Sequence, residues 1–407
     1  MKHFFLTLMF ALGVSTVGAA EVYELGPDSK RQEGVPQGTV TKHQWTDSQI
    51  YPGTETEYWV YVPSQYTDEQ PAAVMVFQDG EAYVHDKGDM RAPIVMDNLI
   101  HQSRMPVTIA VFINPSKKEQ PGDQRENQYV PISDSYASFV LDEILPQVEK
   151  NYTLVDEANG RAIAGMSDGG LAAFTVAWHR PDAFSKVVSH IGSYTRLRGG
   201  SEYPYLIRRT RGNPKPIRVF LQDGLNDLNL FEGNWTLANM AMASALQFGR
   251  YDYRLEMGDQ GHTLTHGGAI LPETLHWIWR DYPGVVTDPV DLSLVTGDWD
   301  VVTNYHGYVF NSLLSISLQD GQLVGALRNE EDGELDVQSV SFDGDRLFYS
   351  YTTPESQAGW SGKKDGVSSD TMEGWLRLEG EALEGVLSAG TASEYDFAVT
   401  AKRVAVE

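Results

Sequence analysis

The chain has 407 residues, 41% of them hydrophobic and 11% aromatic, which is enough apolar side chain to bury a large core and excludes global disorder. Its 56 acidic residues against 31 basic ones leave a net charge of -25. That balance excludes nucleic acid and membrane surfaces as natural partners, because a basic face supplies most of the affinity for either. No cysteine is present, so disulfides, thiolate nucleophiles and cysteine metal sites are excluded as well.

Residues 1–20 read as a signal peptide. Lys2 and His3 form a short basic start, residues 4–14 are an apolar run too short to span a bilayer, and Val17-Gly18-Ala19-Ala20 offers small residues for cleavage. This predicts a secreted or periplasmic protein. Residues 21 to about 65 mix turns with strand-like pieces such as Tyr58-Trp59-Val60-Tyr61-Val62, which suggests an opening antiparallel hairpin. Short continuous apolar runs follow at 72–77, 107–113, 161–164, 187–191, 217–221 and 251–257, several of them ended by Gly, Asn or Asp. Runs of this kind are what strands buried on both faces look like. Helical patterns lie between and after them, at 135–148, 169–178, 235–248 and 271–279. The alternation predicts an α/β class with a covered, mostly parallel sheet, whose ligands bind beyond the carboxyl ends of the strands.

The alternation stops at Tyr282-Pro283-Gly284. From about Leu292 the strands alternate in polarity, and turns recur at Asp320-Gly321, Asp343-Gly344 and Glu379-Gly380. This predicts an all-β barrel or sandwich. The expected division is a signal peptide over 1–20, an α/β domain over 21–286 and a C-terminal all-β domain over 287–407.

Gly165-Met166-Ser167-Asp168-Gly169 fits G-x-S-x-G, set between a predicted strand and a predicted helix. A serine at such a turn needs a strained backbone, which flanking glycines permit, and the turn lifts its hydroxyl above the sheet edge. The plainer alternative is a glycine-rich turn with Ser167 capping a helix. A serine hydroxyl needs a base to remove its proton, and in this arrangement the order along the chain is Ser, acid, His. The loop after 217–221 reads Gln222-Asp223-Gly224-Leu225-Asn226-Asp227, which offers Asp227, or Asp223, as the acid. Gly258-Asp259-Gln260-Gly261-His262 follows the next strand and offers His262, with His266 a possible substitute. His262 and His266 also form an H-x-x-x-H, but no Glu lies between them and no third ligand is evident, so no metal is expected. The N–H of Asp168 at the helix start, and those of Gly80 and Glu81 in the loop after the first parallel strand, are the expected oxyanion donors. Tyr194, Trp235 and Tyr129 are candidate stacking residues for a sugar or phenolic ring.

At these residues the chain resembles the enterochelin-esterase-like branch of an esterase family that also holds feruloyl and acetylxylan esterases. The matching pieces run from about residue 40 to 283. They include Phe77-Gln78-Asp79-Gly80, Gly165-Met166-Ser167-Asp168-Gly169-Gly170, Ser189-His190-Ile191-Gly192-Ser193, Gly224-Leu225-Asn226-Asp227 and Gly261-His262. The resemblance implies an α/β-hydrolase fold, Ser167 as nucleophile, Asp227 rather than Asp223 as acid, and His262 as base. It also implies substrate contacts at Arg125 and Tyr129. Gln128 departs from a usual glutamate, and Asp168 from a usual neutral residue. The C-terminal part resembles the lipocalin-like barrels appended to some of these esterases.

The expected activity is a serine esterase that works through an acyl-enzyme without a cofactor, on a small-molecule or polysaccharide ester of feruloyl, acetyl or siderophore type. An acyltransferase using the same residues, or a non-catalytic carbohydrate-binding protein, are the alternatives. Trp299, Trp360 and Trp375 are candidates for a sugar platform in the β part, or for its core.

Overall fold

The opening strands pair antiparallel, and parallel pairing begins only with the strand after them. Strands β1 (Thr39–Trp45) and β2 (Thr54–Val62) form the opening hairpin, and β2 pairs antiparallel with β4 (Thr108–Ile113). The remaining neighbours are parallel: β3 (Ala73–Gln78), β5 (Arg161–Met166), β6 (Lys186–His190), β7 (Arg218–Gly224) and β8 (Asp252–Gly258) complete the order β1-β2-β4-β3-β5-β6-β7-β8. This computed structural model describes residues 22–118, 124–197, 199–305, 307–330, 333–335, 337–352, 371–389 and 396–404. The segment read as a signal peptide lies outside them, as does Trp360.

Every residue of β3, β4 and β6 is buried, which explains why these strands are continuous apolar runs rather than alternating ones. Helices cover both faces. On one side the segment 135–149, α4 (Asp168–His179) and α5 (Trp235–Gly249) pack around Phe139, Phe174, Tyr194 and Leu246. On the other, α2 (Ala92–His101) and α7 (Leu271–Trp279) pack around Met96, Leu99, Phe220 and Trp279. The shorter α1 (Gly80–Val84), α3 (Gln124–Tyr129) and α6 (Thr265–Ala269) lie in the connections. The pattern at 135–148 predicts one helix. The chain instead forms Ser135–Ser138, a wide-turned Phe139–Ile144 and Leu145–Glu149. Pro146 explains the difference: it has no N–H to donate and its ring crowds the carbonyl four residues back, so the turn ahead of it widens.

The C-terminal strands make a second, wholly antiparallel sheet. They are β9 (Gly297–Tyr305), β10 (Tyr308–Gln319), β11 (Gln322–Asn329), β12 (Gly333–Leu335), β13 (Val337–Phe342), β14 (Arg346–Thr352), β15 (Thr371–Glu379), β16 (Ala382–Ser388) and β17 (Asp396–Arg403). Their order is β12-β11-β10-β9-β17-β16-β15-β14-β13. The sheet curls until its ends nearly meet: a Cβ on Gly325 of β11 would lie 2.7 Å from Val340 of β13. The interior is filled by Trp299, Leu314, Leu347, Leu376 and Val399 among others, so it is a packed core. Trp299 is part of that core, its indole N–H donating to the carbonyl of Val295.

The barrel leans on β8, the exposed edge of the parallel sheet. Arg377 donates to the Leu255 carbonyl at 3.2 Å, and Arg346 pairs with Asp252 at 2.9 Å. An edge strand offers unpaired backbone groups, and covering it removes that liability. Asp396 of β17 is held by Arg211 at 2.9 Å and by Arg250 at 2.8 Å. Among the described residues, no helix is long and apolar enough to cross a membrane.

Candidate active site

The site assembles at the carboxyl ends of β5, β7 and β8. Ser167 sits between β5 and α4 at φ 56, ψ -122, a conformation that L-residues rarely adopt. The flanking glycines are needed for space. A Cβ on Gly165 would lie 2.2 Å from the Gly169 carbonyl oxygen, and one on Gly169 would lie 2.7 Å from the Asp79 carboxylate. Side chains at either position would push the helix start away from the strand, and the serine would lose its raised position.

Two loops bring the partners. Asp227 follows β7 and His262 follows β8, and the loops touch: the N–H of Leu225 donates to Gly258 at 2.8 Å and that of Asn226 to Gln260 at 3.2 Å. His262 donates from Nδ1 to Asp227 Oδ1 at 2.7 Å, and its Nε2 accepts from the Ser167 hydroxyl at 2.9 Å. The Asp227 side chain is fully buried, whereas that of His262 is 22% exposed. Burial works against the charge on Asp227. The bonds from His262, Asp223 and the Leu228 N–H outweigh it and hold the carboxyl below its ordinary range. Ser167 has a further neighbour in Ser193, whose Oγ lies 3.2 Å from its own and accepts the indole N–H of Trp235 at 3.1 Å. The polarity is consistent from end to end: Trp235 to Ser193, Ser193 to Ser167, Ser167 to His262, and His262 to Asp227.

Arg125 closes the other side. Its guanidinium makes a two-pronged bond to Asp79, 2.8 Å on each oxygen, and reaches Asp168 at 2.5 Å. Asp79 is the residue before α1, held at φ 54. Burial raises its carboxyl, Arg125 lowers it, and Asp168 adds to the rise. Burial disfavours the guanidinium charge, but Asp79 and Asp168 more than compensate and raise it above its usual value. As first residues of their helices, Gly80 and Asp168 have N–H groups with no intrahelical carbonyl to meet.

Residues 49–247 match the family described as Putative esterase. That match covers just under half of the chain. Over 184 residues it is 26% identical to the iron(III) enterobactin esterase of Escherichia coli K12, covering 44% of this chain and 44% of that protein. The match thus spans less than half the length of the curated enterobactin esterases. Among solved structures it is similar to the ferric enterobactin esterase of Salmonella typhimurium, with a TM-score of 0.50 and 22% identity over 62% of this chain and 60% of the other. It is also similar to a CE1 ferulic acid esterase of Anaeromyces mucronatus, with a TM-score of 0.50 and 16% identity over 62% and 94%. At these identities the likeness shows a shared fold, the α/β-hydrolase.

Several expected site residues take other places. Tyr129 is fully buried; its hydroxyl accepts from the Asp79 N–H at 3.2 Å, so it braces the loop from beneath rather than facing a ligand. Tyr194 is buried too, donating to Ser189 at 3.0 Å and packed edge-on against Phe174. Trp235 lies edge-on to His262, but it is buried and acts through Ser193. Arg125 is committed to two aspartates. The N–H of Glu81 is taken by Asn114 Oδ1 at 2.9 Å, which corrects its assignment as an oxyanion donor and leaves Gly80 and Asp168. Gln128 is buried and accepts the Ser116 N–H, tying down the loop after β4. His266 turns to Gln222 and stacks on Tyr23, away from Ser167. Ser193 was missed as a site residue, since a serine in Ser-His-Ile-Gly-Ser carries no local pattern that singles it out.

Proposed function

We propose that this protein is a serine carboxylic-ester hydrolase. The observation that carries the reading is the continuous line of hydrogen bonds from Asp227 through His262 to a serine held at a strained turn. Ser167 attacks the acyl carbon while His262 takes its proton. The N–H groups of Asp168 and Gly80 stabilise the oxyanion. His262 then returns the proton to the departing alkoxide, leaving an acyl-enzyme. Water, activated by the same histidine, releases the acid and regenerates the serine. Asp227 keeps the imidazole in the tautomer that presents Nε2 to Ser167 and stabilises its cation.

The relatives act on enterobactin and ferulic acid esters by their names, which favours an acylated carbohydrate or a siderophore-like ester as substrate here. The surface beside the acid's loop supports an apolar or aromatic group: Leu225, Leu230, Phe231 and Leu237 are all exposed there. Residues 21–286 form the catalytic unit in this reading, and 287–407 the appended barrel. The basic start, apolar run and small residues of 1–20 favour export, which N-terminal sequencing of the mature protein checks.

The test is a panel of feruloylated, acetylated and catecholate esters, assayed with wild type and Ser167→Ala. The variant is expected to lose about a thousandfold or more in kcat. Equal turnover in the two proteins overturns the proposal.

A further inference from the structure

Two carboxylic acids meet beneath the candidate base, and only one of them has a role so far. Asp223 ends β7 and is wholly buried, four residues before Asp227. No donor reaches either buried Asp223 oxygen in good hydrogen-bond geometry, the Gly224 N–H and the Asn239 amide lying near enough only to offset part of the effect of burial. Oδ2 of Asp227 is likewise buried without a donor, while its Oδ1 takes the His262 and Leu228 N–H groups. The two carboxyl groups are in hydrogen-bonding contact. Two bare carboxylates in contact, out of water and with no cation between them, would repel strongly; a single proton between them turns the repulsion into a bond.

Among the described residues, no other ionisable group is placed to share that proton. Asp227 faces Asp223 directly, and His262 lies behind it. Helix α5 contributes Asn239, a neutral amide whose Nδ2 is spent on the carbonyls of Gly192 and Trp235. Strand β8 contributes Met257 and Gly258 alongside. His190 on β6 turns its Nδ1 to Tyr83, and His266 on α6 stands against Gln222.

We propose that Asp223 is a positioning residue of the active site: its carboxyl group carries a proton and donates it to Oδ2 of Asp227. The inference rests on the reading of Asp227 as the partner of His262. It gives the arrangement a fourth member. Asp227 is then held on both oxygens, with one aimed at His262, and it keeps the single negative charge of the pair. Burial, with Asp227 beside it, pushes the Asp223 carboxyl up to about 9, in keeping with this assignment. Above that pH the bond is lost and the two carboxylates repel, so the enzyme gains an alkaline limb that belongs to Asp223.

Two readings test it. The first is the infrared difference spectrum between wild type and Asp223→Asn, which needs no activity and isolates this group from other buried acids. A protonated-carboxyl carbonyl band, present at pH 7 and lost reversibly as pH rises through about 9, is expected; its absence at pH 7 overturns the proposal. The second is the pH profile of kcat/KM on the best ester found. Asp223→Asn keeps a donor but cannot ionise, so it is expected to leave the acid limb in place, lower kcat modestly and abolish the alkaline limb. An acid limb that moves down by a pH unit or more means that a negative charge was removed, which overturns the proposal. Asp223→Ala, which supplies no donor, should lose about tenfold or more in kcat at unchanged KM, with Asp223→Asn recovering most of it. Should no ester be hydrolysed at all, the esterase reading fails while the infrared result still decides the proton.

Discussion

Arg125 is the residue whose surroundings say most about the site. It holds Asp79, which precedes one free helix N–H, and Asp168, which supplies another, so one guanidinium spans both candidate oxyanion donors. Removing it leaves two carboxylates facing each other without their cation. Breaking a buried charge pair this way costs about 3–5 kcal/mol when fully buried, and less here because the side chain keeps 28% of its exposure. Arg125→Met is therefore expected to lower the melting temperature and to reduce kcat by roughly ten- to a hundredfold with KM little changed, because the donors shift and the hydroxyl does not. Arg125→Lys should recover little, since an ammonium cannot reproduce the two-pronged bond. Full activity in either variant, measured by steady-state kinetics, would show that the clamp is dispensable. Arg125 and Tyr129, four residues apart, share one face of the short helix α3, where the guanidinium lies 5.6 Å from the centre of the buried tyrosine ring and covers it from the side of the site.

At the scale of elements, the site depends on two loops running in contact. Gly224 is glycine because of that contact: a Cβ there would lie 1.9 Å from the Gln260 carbonyl oxygen, and its φ is not in the left-handed region. The constraint is therefore one of space, not of backbone conformation. Gly224→Ala must part the acid's loop from the histidine's loop. A displacement of about 1 Å at the base costs on the order of a hundredfold in rate, so kcat should fall by at least that much. Gly26→Ala, where a Cβ meets nothing within 4 Å, serves as the control and should be silent. Comparable kcat values for the two variants would falsify this account of the loops. The strained turn at Ser167 has the same logic, with Gly165 and Gly169 set against each other and against Asp79.

On the scale of the whole molecule, the barrel and the parallel sheet are joined by charge. Asp396 meets Arg211 and Arg250, whose side chains are both only 6% exposed. Asp396→Ala strands two buried guanidinium groups and should destabilise the protein by about 3–5 kcal/mol, read as a shift in urea midpoint. The surface pair Lys42–Glu57 is solvated, and its removal should change the midpoint little. A shift no larger for Asp396 would mean that the two sheets do not depend on each other. The fold is also sensitive to acid through His190. Burial, with His266 adding to it, pushes this imidazole down to about 3, against an ordinary value of 6.5. The folded protein then holds His190 neutral, while the unfolded chain takes up a proton below about pH 6.5. Stability from this group is present above that pH and is lost as pH falls toward about 3, at about 1.4 kcal/mol per unit. Urea midpoints of wild type and His190→Gln, compared at each pH so that the carboxylates cancel, should differ by an amount that changes steadily across that window. A constant difference would refute it.

What the sequence determined by itself was whatever depends on neighbours along the chain. Six apolar runs became the six parallel-sheet strands within three residues at either end, because burial on both faces leaves a local imprint. Gly165-Met166-Ser167-Asp168-Gly169 marked a strand-to-helix turn, because only glycine permits that turn. The change to an all-β pattern after Gly284 was legible for the same reason. Tertiary structure decided what depends on distant chain. It aimed His262 at Asp227 and left Asp223 beneath it. It placed Tyr129 and Tyr194 in the core, although their aromatic rings read equally well as ligand platforms. It spent the Glu81 N–H on Asn114, which is 33 residues away. It set Ser193 beside Ser167, and it curled nine strands until Gly325 met Val340. A hydrogen bond between residues far apart in sequence has no local pattern to announce it, and the direction in which a side chain points is settled only when the sheet brings its partner alongside.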